Sequence, residues 1–327
     1  AQITPAQVGQ LDAAQVAALA PDAVASLSAA AVASLDTVQV AAITPSQAQQ
    51  FTASQVDGLS ASQVAALTPD AVGSLSAAAV TSLDTTQVAA ITPSQAEQIT
   101  AAQVDALSAA QVSALSPIAV AALTPTALAS LDAAQVAVLA PAQISSLGAA
   151  QVAALPVAAI ASLQPETLAS LSPAQVAAFT PTQAGQITPT QVDALSPAQV
   201  ASLPATALAQ MTPAALASLD ATQVAALSPA QLDALTPTQV AALPLTVLAS
   251  LSTTQLAAVT PDLSAAQVTA VTQIATAQAI TPTAAALLST STVATYTPAA
   301  IAGLQPAAVA NLSTQVVSNL SSTQLAA

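Results

Sequence analysis

The sequence predicts an all-α solenoid of short capped helical turns, one per eight-residue repeat. Three observations lead there. A large apolar residue falls at every eighth position from Ile3 to Val259, proline is confined to two neighbouring places of that octad, and a helix-start signal is rewritten in most copies. A continuous helix repeats at 3.6 residues and a strand at two, so neither period alone accounts for an interval of eight.

Each place in the octad has a reading. The first is mostly Leu, with Ile, Phe51, Phe179, Met211 and Val259 as variants, and the sixth is Val, Leu, Ile or, three times, Ala. Of the 23 prolines, 20 occupy the third place, while Pro156, Pro204 and Pro244 occupy the second. Proline suits the first turn of a helix, where its missing N–H has no intrahelical partner. The residue before it is usually Ser or Thr, and elsewhere Asp often fills that place, all favoured N-caps. Gln stands fifth in 21 of the 32 octads between Ile3 and Ala258, and in 19 of those Ser, Thr or Asp precedes it by three. That is the capping box, with the leading Leu and the sixth-place Val as its hydrophobic staple. LTPTQVAA at 235–242 is representative.

Helices this short are unstable alone, so neighbours must hold them, and the Leu and Val columns are expected to stack into one core. The competing fold is a β-solenoid, but strands favour β-branched and aromatic residues over Ala and Pro. Aromatics are 1% here.

The expected organisation is a regular solenoid of 32 octads over 3–258, an irregular kink at 259–279, and six resumed octads over 280–327. The kink comprises a four-residue stub ending at Asp262, an octad from Leu263 and a nine-residue unit, 271–279. A longer order is also visible. Residues 19–66 and 67–114 match at 38 of 48 positions. Gln10, Gln50, Gln98 and Gln186 mark octads starting at Ile3, Ile43, Ile91 and Phe179, which hints at a superhelical turn or a lattice contact every 5.5 octads, unless duplication alone spread them; Gln210 breaks the series. Ala1 and Gln2 read as the end of an earlier octad and 320–327 as a complete one, so both ends read as cut faces suited to head-to-tail stacking. No charged segment followed by an apolar stretch opens the chain, which suggests a processed protein or a piece of a longer one.

Composition excludes several function classes. The 327 residues include no Lys, Arg, His, Cys or Trp, and fourteen Asp and Glu give a net charge of −14. Nothing neutralises phosphates, so nucleic acid and anionic lipid are not expected partners. Thiol chemistry and the usual transition-metal sites are absent, and no His or Lys activates the many hydroxyls. Mean hydropathy is +0.70, yet polar residues interrupt nearly every octad, so no membrane span is expected.

The carboxylates read as structural. Asp12, Asp36, Asp84, Asp132 and Asp220 are N-caps, and Asp22, Asp70, Glu166 and Asp262 lie at the second helical place, where the dipole favours negative charge. Asp57, Glu97, Asp105, Asp193 and Asp233 sit at the seventh place, scattered rather than converging as catalytic pairs or calcium cages do. No catalytic, cofactor-binding or metal-ligating residue is therefore assigned and no small-molecule substrate is expected; weak calcium bridging between copies is the one ion role left open. Asn311-Leu312-Ser313 and Asn319-Leu320-Ser321 match the N-glycosylation pattern, as duplication of an octad would also produce. Regularly spaced Thr would suit an ice-binding face, but Thr44, Thr92, Thr188 and Thr236 read as caps. The three aromatics, Phe51, Phe179 and Tyr296, all read as core, which weighs against a ligand-binding module.

Octads such as LSPAQVAA (171–178) and LTPTQVAA (235–242) resemble the tandem octapeptide runs of very large secreted or cell-surface proteobacterial proteins, which are surface-layer, filament or adhesin-like chains. The resemblance covers nearly all of 3–327. It implies an extracellular, non-enzymatic structural protein that self-associates as a subunit of a surface filament or surface layer. The alternatives are a rigid adhesin stalk or a ligand-binding or ice-binding solenoid.

Overall fold

A computed structural model of the protein describes residues 4–326; Ile3, Ala1, Gln2 and Ala327, on which the first leading position and both outermost ends rest, lie outside the described residues. Among the described residues the chain forms 38 α-helices and two 3-10 helices, with no strand. Most helices have four to six residues and occupy one octad each. The second place is the N-cap, as in Thr92, whose hydroxyl accepts from the Gln95 N–H while the Gln95 side chain accepts from the Thr92 N–H. The extended backbone of the leading Leu turns the corner into the next cap, as at Leu67 and Leu75.

Packing divides the described chain into two compact units, Ala1–Gln186 and Ile187–Ala327. In the first unit each helix packs against the helix three further on. Thus Pro45–Ala48 lies on Pro69–Ser74, that on Pro93–Ala96, and that on Pro117–Ala122. One turn therefore takes three octads, or 24 residues, and the helices form three columns. This overturns the hint of a turn every 5.5 octads. The Gln10 and Gln186 octads belong to columns other than that of Gln50 and Gln98, so these residues do not mark a superhelical period. The duplicated 48 residues, by contrast, are two whole turns.

The two central places of the octad face opposite ways along the stack. In the first turn, sixth-place Val8 and Val16 are buried while fifth-place Gln7 and Gln15 are exposed. From the second turn onward, fifth-place Gln39, Gln47 and Gln55 are buried as well. The sixth place thus meets the following turn and the fifth meets the preceding one. Turns approach closely at Gly73, where a Cβ would stand 2.8 Å from the Gln98 carbonyl oxygen.

The second unit uses the same three-octad stacking, for example Pro197–Ser202 against Ala221–Ala225 and that against Leu245–Ala249. The irregular segment lies inside this unit. The expected break at Val271 is absent, and residues Ala265–Gln278 form one 14-residue helix. Ser264 and Gln267 open it with a capping box, but no proline follows Thr272 and no Gln stands three residues beyond it. Thr272 accordingly stays helical and gives its hydroxyl hydrogen to the Val268 carbonyl. Thr260 likewise bonds back to Leu256 instead of capping forward, which places Asp262 at the end of the 3-10 turn Thr260–Asp262 and not in an octad helix. Ile274 and Ala277 anchor the long helix against Ala300 and Leu304.

Candidate functional site

The fifth-place glutamines form the most regular polar arrangement. Gln95 accepts from the Thr92 N–H at 2.9 Å, and its Nε2 donates to the carbonyls of Val64 and Leu67 at 2.8 and 2.7 Å. Those carbonyls belong to the last turn and C-cap of Ala61–Ala66; Val64 already accepts from the Leu67 N–H, whereas the Leu67 carbonyl receives no backbone hydrogen bond. One amide thus caps the start of its own helix and the end of a helix in the preceding turn. Gln47, Gln103 and Gln135 repeat this in the first unit, Gln223 and Gln239 in the second. In some octads whose fifth place is not Gln, a hydroxyl makes an inter-turn bond instead: Thr167 to the Leu139 carbonyl, and last-place Ser82 to the Ala53 carbonyl. No described buried side-chain polar atom lacks a partner.

Sequence reasoning found the capping half of this role and missed the inter-turn half. A signal was present. A capping box accepts Glu as readily as Gln, yet no octad carries Glu in the fifth place. Of these two side chains only the amide supplies the hydrogens that carbonyls of the preceding turn accept.

The carboxylates fall where the caps were expected. Asp12, Asp36, Asp84, Asp132 and Asp220 each accept from the N–H three residues on, and Asp22, Asp70 and Glu166 lie in first turns. At Asp220 the Thr222 hydroxyl, 2.7 Å away, and the Gln223 N–H hold the carboxyl below its ordinary value. Glu97 ends the helix Pro93–Ala96 as its C-cap. Asp57 and Asp233 are the last residues of their helices, and Asp105 and Asp193 the penultimate ones. Negative charge at a helix C-terminus opposes the dipole.

In the first unit the columns gather six of these groups along one corner of the stack. Asp12, Asp36, Asp84 and Asp132 cap helices of a single column, Ala13–Ala18, Thr37–Ala41, Thr85–Ala89 and Ala133–Ala137. In the two intervening turns the caps are Ser60 and Ser108, and Asp57 and Asp105 stand three residues earlier at the same corner. Every one of six successive turns therefore carries one exposed carboxylate there. Among the described residues no group of three or more acidic side chains is placed to hold a metal ion.

The remaining candidates separate. Thr44, Thr92, Thr188 and Thr236 are N-caps, accepting from Gln47, Gln95, Gln191 and Gln239. Asn311 and Asn319 are exposed, and each donates to a carbonyl four residues earlier. Phe51 and Phe179 are 3% exposed, as expected of core residues. Tyr296 corrects that expectation. It is only partly buried: it packs against the Ile274–Leu304 cluster and also lines two open clefts of about 350 and 290 Å³. No described helix is long and apolar enough to cross a membrane. No protein-family model matches the chain, and neither does any curated protein.

Proposed function

We propose that the chain is an extracellular structural protein, not an enzyme, whose copies associate into a surface filament or surface layer. The carboxylate row from Asp12 to Asp132 carries this reading. Asp57 and Asp105 work against their own helix dipoles, yet they fill the two turns in which the cap is Ser, so the row is better explained by what lies beside it than by helix stability. A row of like charges on each copy suits side-by-side contact regulated by counter-ions, including calcium shared between copies. The amides and most hydroxyls are committed to caps and inter-turn bonds, which leaves them to scaffolding. The acidic, cation-free composition and the resemblance to secreted octapeptide arrays support the location.

Negative-stain electron microscopy of the purified protein over a concentration series tests the reading. Rods that join or sheets that grow with concentration are expected, and particles that stay single in every condition would overturn it. The second reading is an adhesin-like chain in which the solenoid is a rigid support. It is favoured by the one interruption of the octads, the helix Ala265–Gln278, and by the clefts beside it.

A further inference from the structure

The helix Ala265–Gln278 presents Thr269, Thr272 and Thr276 along one cleft, whose lining also includes Tyr296. Each of these hydroxyls gives its hydrogen to a helix carbonyl four residues earlier: Ala265, Val268 and Thr272 respectively. Thr295, also on the cleft wall, donates to Thr292. What these groups offer the cleft is lone pairs. Gln273 is committed too, donating to the Thr295 carbonyl at 3.0 Å and accepting from the Thr297 N–H at 3.1 Å, and so it pins the helix to the wall that carries Tyr296. Tyr296 also lines the second cleft, together with Asn319 and Ser321. Asn319 gives an amide hydrogen to the Gln315 carbonyl and keeps its Oδ1 as an acceptor.

The chemistry selects a ligand class. The chain has no cationic side chain, so an anion has no partner, and none of its carboxylates lines either cleft, so a cation has none either. A wall of acceptors favours a neutral molecule rich in hydroxyl donors, and the part-exposed ring of Tyr296, which lines both clefts, favours one with a flat apolar side. A cleft of about 350 Å³ lies within the size range of small-molecule sites. We propose that Tyr296 is the central platform of a binding site for a neutral oligosaccharide, with one sugar ring against Thr272 and Thr276 and the chain crossing the tyrosine towards Asn319. This site is independent of the self-association proposed above.

The test uses an accident of composition. Tyr296 is the only tyrosine and there is no tryptophan, so tyrosine emission reports this site alone. The full chain is titrated with cellotetraose, maltotetraose, mannotetraose and chitotetraose to about 20 mM, a range suited to the weak affinity expected of few hydrogen bonds. At least one sugar should change the emission saturably and show saturation transfer in ligand-observed NMR. Thr272→Val and Thr276→Val together keep the shape and remove two acceptors. Circular dichroism should be unchanged, with affinity at least about tenfold weaker. Tyr296→Ala should abolish saturation transfer. Absence of a saturable response to every sugar, an unaltered response in the double valine variant, or equal binding of tetragalacturonate would each overturn the proposal.

Discussion

The side-chain Nε2 of Gln103 lies 2.8 Å from the carbonyl oxygen of Leu75, 28 residues earlier in the chain. A second acceptor, the Val72 carbonyl, is 2.9 Å away, and the same amide's oxygen holds the Thr100 N–H at 2.7 Å. Three backbone groups, from two helices on successive turns, thus converge on one buried amide; the Val72 carbonyl also accepts from the Leu75 N–H, while the Leu75 carbonyl and the Thr100 N–H have no other hydrogen-bond partner. The arrangement couples the local problem of starting a helix to the global problem of stacking turns.

Gln103→Glu separates the two roles. The glutamate can still accept from Thr100 and complete the capping box, but it turns a buried carboxylate towards two carbonyls. A loss of about 2–4 kcal/mol is expected, against roughly 1–2 for Gln103→Ala, which leaves the Leu75 carbonyl unpaired without adding charge. Urea unfolding of the three proteins ranks them. A glutamate variant as stable as the parent would show that the inter-turn bond contributes nothing.

Most of the local structure was legible from the octad: the caps at Thr92 and Asp84, the prolines at the first helical place, and the buried Leu and Val columns. These depend on neighbours in sequence. The number of octads in a turn was not legible, because near-identical octads stack acceptably on one another in many registers. Only the 48-residue duplication carries that information, and it becomes readable once two turns are known to take 48 residues. Tyr296 was misplaced for a related reason. Its octad position is a buried core position in most of the regular array, but among the resumed octads Ile280, Leu288, Leu312 and Leu320 are likewise only partly buried, and Tyr296 lines clefts beside the long helix at 265–278. The reach of Gln103 to Leu75 lay hidden because one residue type satisfied a local explanation completely.

Deletions should respect the three-octad turn. Removing 67–114 excises two whole turns and sets residue 115 onto 43–66, whose octads nearly duplicate those at 91–114. Every inter-turn bond then keeps an equivalent partner; Gln135, for example, would reach Val56 and Leu59 in place of Val104 and Leu107. Removing Ala90 alone displaces each later Leu, Val and Gln by one place against the turn before it, with a local cost of a few kcal/mol. Limited proteolysis is the readout. New cleavage near residue 90 is expected in the single deletion and none at the junction of the large one; the reverse pattern would show that the turn is not the structural unit.

Acid should weaken the cap at Asp220 later than an ordinary cap. Its folded-state carboxyl is held below the usual value, first by Thr222 and then by the Gln223 N–H. A depressed folded value means that the stabilisation is present above the unfolded value, about 3.9, and disappears as the pH falls through the folded one. Thr222→Val should raise the Asp220 titration midpoint measured by NMR towards the ordinary value. An unchanged midpoint would assign the effect to the backbone alone.

The carboxylate row gives the last prediction. With a net charge of −14 and no cation, copies repel at low ionic strength, and this repulsion is screened over about 10 Å at 0.1 M salt. Replacing Asp12, Asp36, Asp57, Asp84, Asp105 and Asp132 by Asn removes the row at little structural cost. Asn is as good an N-cap as Asp, and at positions 57 and 105 the loss of charge relieves an unfavourable dipole interaction. Stability should change by less than about 1 kcal/mol, since these sites are exposed. In light scattering, the parent should form lateral bundles only above a threshold of salt or, at lower concentration, of calcium. The sixfold variant should bundle at lower salt and lose the additional response to calcium over magnesium. If parent and variant trace the same curves in both series, the row is not the lateral surface, and the contacts between copies lie on another corner of the stack.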